Sequence, residues 1–439
     1  MDTKLLWRIH NWIGLYTGVV IAFLCITGAA ALFRPEIDRA LNPSLTKVEK
    51  QSKTVSLTEA VNKALAANPD KNLFEVELPK AYVDTWNIRL KPKEAEELYP
   101  MFWEVYINPY TGEILGQRNY FESFSYYLRN IHVRLYEAEF GRQIVGLAGI
   151  ALLISTITGF LIYGKFMKTH AFGEIRKKNT RITQGDIHKM IGVATLVFNF
   201  VIAITGAWLG LQVYLMQAAD MDLPNNYVRQ EKLLSKAEDT VFPLDYDLIL
   251  DRIQDEFPEM QPWNIRPTTN GQALIHIYGN VKGQTYERRS NKLVLDKADY
   301  AKLHQYNISD QDFGAKLFFV QESFHFGDFA GIPLKLLYCF LALCSAYLSL
   351  SGFIIYLERT KKHREKEADF TPINTILKKW SIGMLMFLAI IAILSTNYGI
   401  GIPSLLVTTL VYGFFLILII RGLGKVLVQK FKSGKNLTN

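Results

Sequence analysis

Eight histidines are spread over the 439-residue sequence, and four of them stand at matched positions. His10 opens "IHNWIGLYTGVVIAFLCITG" and His188 opens "IHKMIGVATLVFNFVIAITG", each 17 residues before a threonine, Thr27 or Thr205. His132 precedes "TGFLIY" (158–163) and His325 precedes "SGFIIY" (351–356), each by 26 residues. All four adjoin long apolar segments, where an ionisable side chain is costly and by default functional. An isolated interfacial histidine can simply anchor a helix at the headgroups, and that reading applies to each of the four taken alone. Two imidazoles facing each other across an axis can instead hold one metal centre. Zinc or copper would want further Cys, His or carboxylate ligands close by. A haem iron needs only two axial ligands, because the macrocycle supplies the other four.

The surroundings extend both readings. Gly14 and Gly192 each follow their histidine by four residues, one turn along the same helix face. A porphyrin could lie against the backbone there, or the glycines could let helices pack closely. Arg8, Lys189, Arg129, Arg134 and Arg142 stand near the four histidines, as propionate partners or as interfacial anchors. The 26-residue spacing would span ~39 Å as continuous helix, against a hydrocarbon core of ~30 Å. With Pro333 placed where a first helical turn starts, this predicts that His325, and by symmetry His132, lie on short pre-helices at the membrane surface.

The elements that must position these residues follow from composition. With 49% hydrophobic and 13% aromatic residues the chain is too apolar for an ordinary soluble protein. Six stretches are long and apolar enough to span a bilayer: 12–33, 143–163, 190–215, 333–357, 376–396 and 401–420. Two polar stretches, 34–142 and 216–332, lie between them. The net charge of +8 is concentrated on one side: Lys4 and Arg8, then Lys165, Lys168, Arg176, Lys177, Lys178 and Arg181 in loop 164–189. Arg359, Lys361, Lys362 and Arg364 in loop 358–375, and Arg421, Lys425, Lys430 and Lys432 in tail 421–439, fall on the same side. By the positive-inside rule that side and both termini are cytoplasmic, and both polar stretches face outward, into a bacterial periplasm. The charge is thereby assigned to topology and not to a nucleic-acid partner. Cys25, Cys339 and Cys344 all fall within spans, which leaves no disulfide framework or zinc spacing outside. The first apolar run, residues 1–33, is read as a retained helix and not a signal peptide, since its pattern recurs in span three.

The matched spacings, and "WNIR" at both 86–89 and 263–266, predict an internal parallel duplication of a helix–outer domain–helix unit. His10 and His188 then share one depth near the cytoplasmic face, and His132 and His325 share another near the outer face. The outer segments read as two small α+β domains, with Pro109 and Gly112 of "NPYTGEIL" forming a hairpin turn. His276 and His304, in the second outer segment, could touch substrate but read first as solvated surface residues. Spans five and six contain no histidine and are expected to pack beside a four-helix core.

The strings "RIHNWIGL", "VYINPYTGEILG", "NIHVRLY", "DIHKMIG" and "FHFGDFAGIP", taken together over roughly residues 1–360, resemble the PepSY-associated transmembrane family of bacterial inner-membrane proteins. The resemblance implies two PepSY-like periplasmic domains and two haems, ligated by His10, His188, His132 and His325. It also implies reduction of a ferric siderophore or other ferric chelate on the periplasmic side. The haems would be type b, because no C-x-x-C-H string is present. No G-x-G-x-x-G follows a strand, so electrons must come from a separate donor, a cytoplasmic reductase or a quinol. The second outer segment lacks a "PYTGE" string and departs from the pattern. Two other classes compete: a transporter of a siderophore or small solute, and a membrane-anchored binding or signalling module without redox activity.

Overall fold

The computed structural model of the chain describes residues 2–80, 83–93, 102–166, 173–221, 224, 243–268, 273–285 and 289–366. Helix α1 (Thr3–Ala31) leads into the short helices α2 (Arg34–Leu41) and α3 (Pro43–Thr46), then α4 (Leu57–Ala66). Strands β1 (Lys71–Glu77), β2 (Trp86–Pro92), β3 (Trp103–Ile107) and β4 (Ile114–Asn119) follow, then α5 (Phe124–Arg134) and α6 (Ala138–Phe166). The order then recurs. Helices α7 (Thr180–Ala194) and α8 (Leu196–Ala218) take the place of α1, followed by α9 (Tyr246–Glu256). Strands β5 (Met260–Pro267), β6 (Leu274–Val281), β7 (Asn291–Asp296) and β8 (Lys302–Tyr306) precede α10 (Phe313–Phe326) and α11 (Gly331–Lys366).

Among the described residues four helical segments are long and apolar enough to cross a membrane: Thr3–Ala31, Glu139–Gly164, Leu196–Ala218 and Gly331–Lys361. Their surfaces carry large exposed hydrophobics such as Val19, Phe160, Val197 and Phe340, as lipid-facing helices do. The expected spans 376–396 and 401–420, and the basic tail behind them, lie outside the described residues. The two halves touch through small residues. A Cβ at Gly210 would collide with the Gly146 backbone, and one at Gly149 would sit 2.6 Å from the Ala207 nitrogen, so α6 and α8 pack backbone to backbone. Gly18 of α1 faces the Ser349 carbonyl of α11, 3.5 Å from where a Cβ would be. Where α1 is continuous, its counterpart breaks at Thr195 between α7 and α8. There the Asn199 amide donates to Thr195 Oγ1 (2.9 Å) and Ser345 Oγ donates to Asn199 Oδ1 (2.5 Å), a buried polar insertion of the kind that kinks helices.

The two polar stretches do not form separate domains. Their strands make one antiparallel eight-stranded sheet, ordered β4-β3-β2-β1-β5-β6-β7-β8. The halves join where β1 pairs with β5, Val76 opposite Ile265 and Glu77 opposite Asn264. This order matches β1 with β5 and β2 with β6. The two "WNIR" strings therefore sit on non-equivalent strands, β2 and β5, and their likeness is not part of the repeat. One face of the sheet buries Val76, Ile88, Leu90, Val105, Ile107, Ile265, Ile275, Ile277, Leu293 and Leu295 beneath α4 and α9. The N-termini of those helices cap each other. The Asp247 carboxylate accepts from Ser56 Oγ (2.5 Å) and from the Leu57 nitrogen (2.8 Å), while Thr58 Oγ1 accepts from the Tyr246 nitrogen (2.8 Å). In the β3–β4 hairpin Gly112 takes φ +68°, a conformation glycine adopts without strain. The β7–β8 hairpin puts Tyr300 there instead (φ 56°), its hydroxyl accepting from the Asp245 nitrogen at the cap of α9 (2.8 Å).

The other face of the sheet is polar and lies toward the membrane helices. Asp38 of α2, just beyond α1, takes Arg118 of β4 in a bidentate pair at 2.8 Å, and Tyr306 of β8 rests against Phe319 of α10. His276 is buried on this face, 8% exposed, and is not the solvated residue its position in a polar stretch suggested.

Candidate functional site

The four matched histidines come together in two pairs, each across the halves. His10 of α1 and His188 of α7 have ring centroids 6.3 Å apart, with planes at 87°. His132 of α5 and His325 of α10 have centroids 6.5 Å apart, with planes at 28°. His132 and His325 stand on short helices that end in left-handed caps, Leu135 (φ 49°) and Gly327 (φ 58°), before α6 and α11 begin. Thr27 of α1 touches His132 and lies 17 residues from His10, so the two pairs are ~25 Å apart along that helix.

Each imidazole is held by its own half of the chain. His10 Nδ1 lies 3.1 Å from both the Ser155 carbonyl and Thr158 Oγ1 of α6. His188 Nδ1 lies 2.8 Å from Ser351 Oγ of α11. His132 Nδ1 lies 3.2 Å from Thr27 Oγ1 of α1, and His325 Nδ1 lies 2.9 Å from Thr205 Oγ1 of α8. The direction of these bonds follows from the hydroxyls. Each gives its proton to a carbonyl of its own helix: Thr158 to Ile154 (2.6 Å), Thr205 to Val201 (2.7 Å), Thr27 to Phe23 (2.9 Å) and Ser351 to Leu348 (3.0 Å). The hydroxyl oxygen is left to accept, so Nδ1 carries the proton and Nε2 keeps its lone pair. A second group that fixes tautomer and ring angle in this way is the usual support for a metal-ligating histidine. Burial also pushes His132 down to about 4, which keeps its imidazole neutral at pH 7.

A glycine follows each of the four hydroxyl residues and makes room for the ring. A Cβ at Gly28 would stand 2.9 Å from His132 Cε1, at Gly159 3.1 Å from His10 Cε1, and at Gly206 3.2 Å from His325 Cε1. At Gly352 the distance to His188 Cε1 is 3.7 Å. These four Thr/Ser–Gly dipeptides hold the imidazoles, and sequence reasoning missed that. They stand in the sequence as "TG" and "SG" at the fixed spacings of 17 and 26, where spacing alone marks only the repeat.

Gly14 and Gly192 touch neither pair. A Cβ at Gly14 meets nothing within 4 Å, and one at Gly192 meets only Leu348 Cδ2 at 4.0 Å, so both border open space one turn from a histidine. Among the basic residues, Arg8 is exposed two positions before His10. Arg142 is tied to α8 by Nε donation to the Leu209 carbonyl (2.9 Å) and approaches Glu139 at 3.8 Å, and Arg134 pairs with Glu139 at 2.7 Å. Lys189 and Arg176 both hold Asp186, each at 2.8 Å.

The donor set can be tested against the metals it might hold. Among the described residues no cluster of three or more His, Cys, Asp or Glu side chains is placed to hold an ion, so neither pair has the third and fourth ligands that zinc takes. With metal–imidazole bonds of about 2.0 Å and a ring nitrogen about 1.1 Å from its centroid, two imidazoles on opposite sides of one metal have centroids about 6.3 Å apart. Both pairs fit that spacing, and both fit a flat macrocycle that brings its own four nitrogens. A comparison with curated proteins found no match. The family described as the PepSY-associated TM region matches residues 7–359, which take in both histidine pairs and both halves of the sheet, and the chain belongs to that family.

Proposed function

We propose that the chain is an inner-membrane ferric-chelate reductase with two haem b groups, one between His10 and His188 and one between His132 and His325. The histidine ends of α1 and α7 lie on the cytoplasmic side, where a reductase or quinol donates. The sheet lies on the periplasmic side, where a ferric siderophore or other ferric chelate accepts. The observation that carries the reading is the spacing of the two cross-half pairs, 6.3 and 6.5 Å between centroids, at the two ends of one apolar helix bundle. When bound, each haem supplies one-electron exchange without transfer of atoms.

The protein's own residues do the rest. The hydroxyls of Thr158, Ser351, Thr27 and Thr205 hold the four imidazoles as Nδ1–H tautomers with Nε2 available. The glycines beside them set how closely each ring approaches its helix. The apolar helices exclude water, which favours ligands that are neutral. Arg134 and Arg142, at the sheet end, and Arg8, at the other end, are cations near the ligand positions that suit propionates. At the acceptor, one electron converts a ferric to a ferrous chelate. Oxygen donors hold the softer Fe(II) more weakly, so the metal is released.

An absorbance spectrum of the purified full chain tests the reading. A redox-sensitive Soret band and a b-type pyridine haemochrome at two per chain are expected. A colourless protein, or one that carries a metal without porphyrin, would overturn it. Reporters fused after Lys178 and near Asn291 should read cytoplasmic and external, respectively, and the reverse would overturn the orientation.

A further inference from the structure

On the polar face of the sheet the paired residues form a row that crosses all eight strands. From β4 it runs Arg118, Glu104, Arg89, Glu75, and the register Val76 to Ile265 carries it on to Arg266, His276, Val294 and His304. The first half of this row is charge-matched. Arg89 reaches Glu75 (2.8 Å), Glu104 (3.0 Å) and Glu77 (3.1 Å), and Arg118 reaches Glu104 (2.9 Å) and Asp38 (2.8 Å). Among the described residues neither Arg266 nor Lys292, in the second half, forms such an ion pair. Glu75, the neighbour of Arg266 in the row, gives its Oε1 to Arg89 and acts on Arg266 only through space. Asp296, at the end of β7, turns to the hairpin and accepts from the Ala298 nitrogen.

The ionisable side chains that follow on β5–β7 include buried His276 and Lys292 and half-buried Arg266. Lys292 is 4% exposed, with its ammonium 5.8 Å from the centre of the Tyr278 ring, and Arg289 stacks over the same ring at 5.3 Å. His276, between Arg266 and Val294, has an Nδ1 that is buried without a hydrogen-bond partner. Burial and then Arg289 push the Lys292 ammonium down to about 8, and burial, Lys292 and Arg266 push His276 down to about 3. These are groups whose charged forms are disfavoured until an anion joins them.

We infer that the β5–β7 half of the polar face, built on Arg266, His276 and Lys292 around Tyr278, binds an anionic oxygen-donor ligand. We infer further that this ligand is a carboxylate-bearing ferric chelate, which rests on the proposed reductase function. Placement favours that occupant. Lys292 pairs across the strands with Tyr306, whose ring lies 6.4 Å from Phe319 of α10, and His325 is six residues, ~9 Å, further along that helix. On the other side Arg266 lies 4.2 Å from the Phe74 ring, which begins a stack through Phe102 (4.6 Å) and Phe121 (5.8 Å) to Tyr126 of α5 (4.7 Å). His132 is six residues beyond Tyr126. The cationic half is thus bracketed by the two helices that carry the second histidine pair. Its depth, with Lys292 and His276 both under a tenth exposed, suits a small soluble anion and not a headgroup fixed in a bilayer plane.

Gallium(III) citrate, a carboxylate-rich chelate that is not reduced under these conditions, provides a probe of binding alone. Titrated into the purified full chain in neutral detergent, it should bind with an affinity that falls as salt rises. R266Q and K292Q should each weaken it at least about tenfold, K292R should retain most of it, and K63Q on the far side of the sheet should leave it unchanged. Absence of binding, or equal binding in R266Q and K292Q, overturns the site. So does a result in which those variants lose association with phosphatidylglycerol vesicles while gallium citrate binding is unaffected. A haem-free protein that binds gallium citrate would overturn the reductase reading and leave the anion site standing, whereas a haem-loaded protein that does not bind it would do the reverse.

Discussion

Gly28→Ala isolates the fit between one helix and one imidazole. The added Cβ would stand 2.9 Å from His132 Cε1, 3.4 Å from Nδ1 and 3.4 Å from Nε2. Ordinary contact begins near 3.4 Å, so the ring must retreat by about 0.5 Å, whereas metal–ligand distances are held to about 0.2 Å. The helix itself gives no reason for loss, since Ala in place of Gly stabilises a helix interior by roughly 0.5–1 kcal/mol. Expected is a protein that folds and inserts but holds one haem in place of two, with the remaining haem that of His10 and His188. Gly352→Ala is the internal control, because its Cβ would lie 3.7 Å from His188 Cε1, an ordinary contact, and both haems should stay. Pyridine haemochrome per protein, with reduced-minus-oxidised spectra compared against His132→Ala and His10→Ala, reads the outcome. Full haem content in Gly28→Ala, or loss of the haem that His10→Ala removes, would refute the assignment of Gly28 to the His132 cradle.

Three further outcomes are expected. His10→Ala and His188→Ala should remove the same haem and His132→Ala and His325→Ala the other; if His10→Ala and His132→Ala removed the same one, ligands would be paired within a half. Low-temperature paramagnetic resonance of the oxidised protein should show two low-spin signals, the more anisotropic one vanishing in His188→Ala, because those imidazole planes are near perpendicular and the other pair is near parallel; two identical signals would count against these ring angles. The sheet should loosen in acid: burial raises the Glu75 and Glu104 carboxyls but is outweighed by Arg89, aided at Glu104 by Arg118, so both end below the ordinary carboxylate value. Their contribution is complete above the unfolded value of about 4.3 and is lost as pH falls through the lower folded value. Tryptophan fluorescence should report this, with Glu104→Ala costing about 1.5–3 kcal/mol at pH 7, because Arg89 keeps Glu75 and Glu77 and Arg118 keeps Asp38 while each loses one charged hydrogen bond.

The histidine pairs were legible because helices convert spacing into height. Two equal intervals of 17 residues and two of 26 place four side chains at two levels, whatever the loops between them do. The cradle was half legible: its hydroxyl and glycine residues stood in the repeated strings, but only the fold shows that "TG" of α1 serves His132 of α5 while "TG" of α6 serves His10. The joined sheet was not legible. Pairing of β1 with β5 is a contact between the halves, set by the edges that remain after each half has paired its own strands, and no local residue pattern announces it. "WNIR" misled for a related reason. Alternation of an aromatic, a polar, an apolar and a charged residue suits any strand that buries one face, so β2 and β5 reached it independently. His276 was misplaced because a polar stretch was read as solvated, whereas α2 and α10 lie against the polar side of the sheet.

The division of labour between the halves carries a consequence for how such a site stays intact. Each half supplies the hydroxyl and glycine that hold its own two imidazoles, and each pair is completed only by the other half. A defect in one cradle, as at Gly28, therefore disables one pair. A defect in the seam disables both, because the pairs at either end depend on the same backbone contact. That seam has residues with nothing to yield: Gly146 against Gly210 and Gly149 against Ala207. A methyl group there meets backbone and not the end of a flexible side chain, so the helices must part along their length. The buried network of Thr195, Asn199 and Ser345 ties α8 to α11 midway between the pairs and adds polar bonds where lipid offers no substitute. Small residues along the seam, and hydroxyls at its ends, are thus two parts of one requirement: four imidazoles kept at fixed height and fixed separation.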